Sequence, residues 1–163
     1  MTELSRSAPA IACLATKFMS VGADAMPARR FIDTNILLYS ISRDPAEADK
    51  RDRAVALLAA DDLGLSAQVL QEFYVQATRS SRRDVLSHDI AAGLIRAWAR
   101  FPVQEISFAI VTSALEIHQV HGFSYWDSAV IAAAQALGCR QLLSEDMSHG
   151  QRVGDLTILN PFR

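Results

Sequence analysis

The chain has 163 residues, enough for one domain with a substantial core, and its 50% hydrophobic and 21% charged content is an ordinary globular balance. The formal net charge of −2 excludes bulk attraction to a polyanion, so a nucleic-acid partner would have to be met by a local basic patch or by bound metal. Cys13 and Cys139 form no CxxC pair, which leaves no disulfide framework or zinc knuckle, and no apolar run nears the roughly 18 residues of a membrane span; the expected compartment is a reducing cytoplasm, away from any membrane.

Residues 1–25 read differently from the rest. A weak apolar stretch, Ala8 to Leu14, is followed by Lys17 and by Ala23-Asp24-Ala25, a triplet that imitates a signal-peptidase site. Glu3 in the would-be basic region and Lys17 before the cut argue against export. The expectation is a disordered leader or a start codon assigned too far upstream, with the working domain occupying residues 26–163. Arg30-Phe31-Ile32 then opens a buried strand. Asp44-Pro45-Ala46-Glu47 places an N-cap acid, a proline at the first helical position and a glutamate at capping-box spacing, and the helix it starts is predicted to reach Ala60 with Val55 and Leu58 inward. Leu63 to Ser66 is predicted as the second strand, with Ser66 capping a helix through about Thr78. Ser87 caps another, where Ala91, Leu94, Ile95 and Trp98 recur at helical spacing. A strand from Val103 to Ser107, a helix ending at Gly122, a helix from Trp126 to Leu137, and strands at Gln141–Ser144 and Leu156–Leu159 complete the chain. Strands alternating with helices define an α/β class, a mainly parallel sheet covered on both faces.

In such sheets ligands bind beyond the carboxyl ends of the strands. Asp33 directly follows the first strand, and Asp146 follows Leu142-Leu143-Ser144. Glu72 lies in the second turn of its helix, where Gln68, Glu72 and Gln76 form a stripe bordering the apolar arc of Val69, Leu70, Phe73 and Ala77. Asp127 begins the helix after Gly122. Converging carboxylates repel one another unless a cation neutralises them, and oxygen donors without a Cys or His pattern favour Mg²⁺ or Mn²⁺. Such a site suits phosphodiester hydrolysis. Each acid also has a plainer role open to it: Ser124 and Asp127 have capping-box spacing, Asp33 can start a turn with Thr34 and Asn35, Glu72 suits a helix surface, and Asp146 a loop.

Four blocks bear on that choice: Phe31-Ile32-Asp33-Thr34-Asn35-Ile36-Leu37, Ser66-Ala67-Gln68-Val69-Leu70-Gln71-Glu72-Phe73, Tyr125-Trp126-Asp127-Ser128 and Leu143-Ser144-Glu145-Asp146. In this order and at these intervals they resemble the acidic blocks of PIN-domain ribonucleases, particularly bacterial toxins of the VapC type. The resemblance spans about Arg30 to the end. It implies a PIN-like three-layer α/β/α fold and a Mg²⁺- or Mn²⁺-dependent endoribonuclease acting as the toxin of a toxin–antitoxin pair. Asp33, Glu72, Asp127 and Asp146 would be the catalytic acids, with Asp33 and Asp127 the principal metal ligands. Thr34, Asn35 and Ser144 would hydrogen-bond behind them. Of the adjacent pair Glu145 and Asp146, the family's spacing from its Ser/Thr selects Asp146. The implied partners are an RNA substrate, an antitoxin and a second copy of the chain. Arg79, Arg82 and Arg83 are candidate phosphate contacts, against the plainer reading of a solvated helix end. His118 and His121 at i, i+3 lack further zinc-ligand types nearby, and His149 is close enough to Asp146 to reach its crevice. Two alternatives stand beside this reading. One is a PIN-like module that binds RNA or a partner without turnover. The other is a haloacid-dehalogenase-type phosphatase, disfavoured because Asn35 stands where that mechanism needs an acid.

Overall fold

Phe31 and Ile32, both without exposed surface, lie at the middle of the sheet because strands pair with them on both sides. The computed structural model describes residues 30–163, and the expectation for residues 1–25 lies outside them. Strand β1 (Arg30–Ile32) is parallel to β2 (Leu63–Ser66) and to β4 (Gln141–Leu143), with Phe31 opposite Gly64 on one side and Leu142 on the other. The two-residue β3 (Val103–Gln104) extends the β2 side, and β6 (Leu156–Leu159) the β4 side. Antiparallel β5 (Arg152–Val153) closes that edge, giving the order β3-β2-β1-β4-β6-β5. Leu63, Leu65, Leu142 and Ile158 have no exposed surface, as expected of parallel strands covered on both faces.

Among the described residues six α-helices form the covering layers: α1 (Thr34–Ser40), α2 (Ala48–Leu58), α3 (Ala67–Ala77), α4 (His88–Trp98), α5 (Phe108–His121) and α6 (Tyr125–Ala136). α1 packs against α2 and α3, and α3 against α4. α5 packs on α6, which lies across β2, β3, β4 and β6. The result is a three-layer α/β/α arrangement. Serine caps recur: Ser66, Ser87, Ser107 and Ser124 each accept a hydrogen bond from a backbone N–H in the first turn of α3, α4, α5 and α6, Ser66 and Ser87 as the sequence places them.

Several boundaries differ from expectation. The segment after Asp33 is a helix rather than a turn; Asp33 caps it, and Ile36 and Leu37 are fully buried. Asp44 caps a 3₁₀ turn, Pro45–Glu47, ahead of α2, and the Glu47 carboxylate accepts from Ser42 Oγ rather than closing a capping box. In α2 the inward residues are Ala54 and Leu58, whereas Val55 is half-buried. The third strand stops at Gln104, because Ser107 is taken up as the cap of α5. Strand β5 was not expected.

Candidate metal centre

Because β1 and β4 are neighbours in parallel register, with Ile32 opposite Leu143, their carboxyl ends deliver Asp33 and the Ser144–Asp146 turn side by side. The Asp33 N–H donates to Leu143 O at 3.0 Å, and Ser144 N–H donates to Leu159 O at 3.0 Å. Asp33 is 8% exposed. One of its oxygens accepts from Thr34 N at 2.7 Å and the other from Ser144 Oγ at 2.7 Å. Burial drives its carboxyl up from 3.8 to about 6; the two hydrogen bonds work against that rise, and the negative charges of Asp146 and Glu72 add to it.

Glu72 arrives from the second turn of α3. Thr34 Oγ1 donates to its Oε2 at 2.8 Å and Gln68 Nε2 to its Oε1 at 2.9 Å. The buried Gln68 amide also donates to the carbonyl of Trp126 at 3.3 Å, tying α3 to the start of α6. Asp127 stands in the first turn of α6, where Ser124 Oγ donates to its Oδ2 at 2.7 Å and accepts from its N–H at 3.1 Å. Ser124 is thus the cap, and the Asp127 carboxylate binds the cap's hydroxyl rather than reaching back to a backbone N–H, while it also stands on the cavity wall. Asp146 accepts from Asn35 Nδ2 at 3.2 Å, and its N–H donates to Ser144 Oγ at 3.2 Å. All four acids line one open cavity of about 230 Å³, with Thr34 and Asn35 beside them. Glu145 faces elsewhere: its carboxylate is bound by Tyr39 Oη and Lys50 Nζ.

The donor chemistry suits a hard divalent cation. Every group is an oxygen donor, and among the described residues the buried Asp33 lacks a cationic partner and the buried Asn35 Oδ1 has no hydrogen-bond partner. Among the described residues, no three His, Cys, Asp or Glu side chains already converge closely enough to enclose an ion. The Asp127 carboxylate is turned onto Ser124 Oγ. The residues present fit the metal.

Other sequence candidates lie apart. Arg82 is paired with Asp84 at 3.1 Å, and Arg79 and Arg83 are exposed in the turn after α3; none of the three lines the cavity. His118 bonds the carbonyl of Phe123, and His149 accepts from Asn160 N–H at 3.0 Å. Neither reaches the acids. Gln76 and Trp126 do line the cavity. Trp126 is 65% exposed, and its position beside Asp127 was the one available sequence signal.

An α/β protein with carboxylates gathered at the strand ends is the class that fold and site define. The PIN domain family matches residues 30–151. The chain belongs to that family. No curated protein sequence matches it. Among solved structures, Mycobacterium tuberculosis VapC20, described as a Sarcin-Ricin loop cleaving toxin, is 20% identical with a TM-score of 0.56, covering 72% of this chain and 91% of that one. A toxin–antitoxin complex from Klebsiella pneumoniae is 20% identical with a TM-score of 0.57, covering 81% and 97%. FitAcB from Neisseria gonorrhoeae is 17% identical with a TM-score of 0.55, covering 82% and 98%. These likenesses show the fold.

Proposed function

We propose that this PIN protein is a divalent-metal-dependent endoribonuclease that hydrolyses RNA phosphodiester bonds, and the toxin member of a toxin–antitoxin pair. The observation that carries the reading is the convergence of Asp33, Glu72, Asp127 and Asp146 on one cavity, with Asp33 buried and its carboxyl raised to about 6. Asp33 and Asp127 would be the principal ligands of Mg²⁺ or Mn²⁺, completed by Glu72 and Asp146 directly or through water. When bound, the ion supplies Lewis acidity that lowers the pKa of a water and offsets charge on the scissile phosphate. The protein's own part is orientation. Ser144 and the Thr34 N–H fix Asp33, Thr34 and Gln68 fix Glu72, and Asn35 reaches Asp146. Arg79 and Arg83, beyond the Gln76 end of α3, are proposed to meet backbone phosphates further along the RNA.

The partner part of the reading draws on the toxin–antitoxin complex from Klebsiella pneumoniae. An antitoxin that blocks the acidic cavity is proposed on that basis, and a homodimeric state on the family resemblance alone. The test is metal-stripped protein incubated with end-labelled RNA over a Mg²⁺ and Mn²⁺ titration. Cleavage that appears with metal and disappears with chelator supports the reading. Retention of RNA without cleavage at any metal concentration would replace it with a binding module.

A further inference from the structure

Glu145 sits between two residues of the acidic site and belongs to neither hydrogen-bond set. Ser144, fully buried, bonds Asp33 and the Asp146 N–H. Asp146 faces the cavity, and Met147 beyond it is buried in the core. In the bend that follows β4, Glu145 turns away from the cavity and meets α1 and α2. There Tyr39 Oη donates to one carboxylate oxygen and Lys50 Nζ to the other. Lys50 also donates to Tyr39 Oη at 3.1 Å and stands 4.7 Å from the centre of the Tyr39 ring. Phe162 packs edge-on against that ring at 4.9 Å and covers the cluster. The group is half-buried, with the Lys50 and Glu145 side chains 36% and 24% exposed.

We propose that Lys50, acting through Glu145 and Tyr39, is a positioning residue of the acidic site. It anchors the backbone between Ser144 and Asp146 so that Asp146 presents its carboxylate to the cavity, and it neutralises a fifth carboxylate next to four that already repel. Ser144 and Met147 hold the turn at its two ends, while the Lys50 cluster sets its rotation about the chain. Without the ammonium, Glu145 has only Tyr39, and the turn is free to exchange which acid faces inward.

The inference rests on the metal-site reading above, so the test carries one readout that needs no catalysis and one that needs no metal. The first is Mn²⁺ affinity by calorimetry. The second is the exchange rate of the Asp146 amide, followed by nuclear magnetic resonance in metal-free protein. Lys50→Met is expected to weaken Mn²⁺ binding by about tenfold, the scale of losing a group that orients a ligand, and to speed Asp146 exchange while distant core amides keep their rates. Lys50→Arg, which retains a cation, is expected to restore both, and Glu145→Gln to resemble Lys50→Met. In an Asp146→Asn background, Lys50→Met is expected to cost no further Mn²⁺ affinity, because the two act through one group. Unchanged exchange at Asp146 in Lys50→Met, or an additive loss in the double variant, overturns the proposal. A wild-type protein that binds no Mn²⁺ would sink the metal-site reading, while the exchange rates would still decide whether Lys50 positions Asp146.

Discussion

Asp33 carries the sharpest consequence of a single side chain. Its carboxyl titrates near 6 in the folded protein against 3.8 for the free group. Between those values the native state binds more protons than the unfolded chain, so this group makes stability fall as pH rises from about 4 to 6, and the full penalty persists above 6. The shift is on the order of 2–3 kcal/mol. Asp33→Asn is neutral at every pH and escapes that penalty. Its melting temperature without metal is expected to exceed wild type by about 4–12 °C at pH 8, a gap that closes toward pH 4. Mg²⁺ at pH 8 is expected to raise the wild-type melting temperature and to leave the variant nearly unmoved. Cleavage by the variant is expected to fall at least about tenfold with Mg²⁺ present. A variant as active as wild type would remove Asp33 from the chemistry, and equal melting curves across the pH range would show that burying its charge carries no such penalty.

At the scale of elements, the start of α6 joins a cap to a candidate ligand, and the two roles can be separated. Ser124 Oγ accepts from the Asp127 N–H and donates to the Asp127 carboxylate. Ser124→Ala removes the cap, costing about 1 kcal/mol and lowering the melting temperature by about 2–4 °C. It also frees the carboxylate to turn inward, so Mn²⁺ is expected to bind tighter despite the lower stability. Weaker binding would mean that the Ser124 contact holds Asp127 in its working orientation. Behind α3, Phe73 and Trp98 pack edge-to-face at 4.7 Å with no exposed surface. Phe73→Ala is expected to cost about 3–5 kcal/mol in urea unfolding. Trp98→Phe should cost less than about 2 kcal/mol, since the indole N–H it removes is buried without a partner. The helices capped by Ser66 and Ser87 were readable because each pairs a cap with a long apolar period, whereas the Ser107 cap was hidden at the end of an apolar strand pattern. α1 was not readable, since seven residues are too few to show such a period, and its formation depends on burying Ile36 and Leu37 against α2 and α3. Strand β5 left a fainter trace, Gly154-Asp155 between Val153 and Leu156, which the structure uses as a two-residue hairpin with Gly154 at φ +59°.

For the whole molecule, a parallel sheet sends its strands' carboxyl ends to one rim, which made Asp33 and Asp146 legible together, while Glu72 and Asp127, carried by helices, joined them through the resemblance of the four blocks. What holds them was only partly legible. Thr34 to Glu72, Gln68 to Trp126 and Lys50 to Glu145 join segments between 38 and 95 residues apart, and no local pattern encodes such pairings. The same topology bears on residues 1–25. β1 begins at Arg30 with partners on both sides, its first backbone N–H donating to Asp62 O and its guanidinium paired with the Asp62 carboxylate. The family match also begins at residue 30, and all four acids lie after it. Ordering 25 further residues would cost roughly 1–2 kcal/mol each in backbone entropy, and their short apolar stretch offers little area to offset that. A chain beginning at Met26 is therefore expected to melt within about 2 °C of the full chain and to cleave RNA at the same metal-dependent rate. A drop of more than about 5 °C would mean that these residues pack on the domain. Loss of cleavage at unchanged stability would mean that they shape the acidic site, and the domain boundary would move to the first residue.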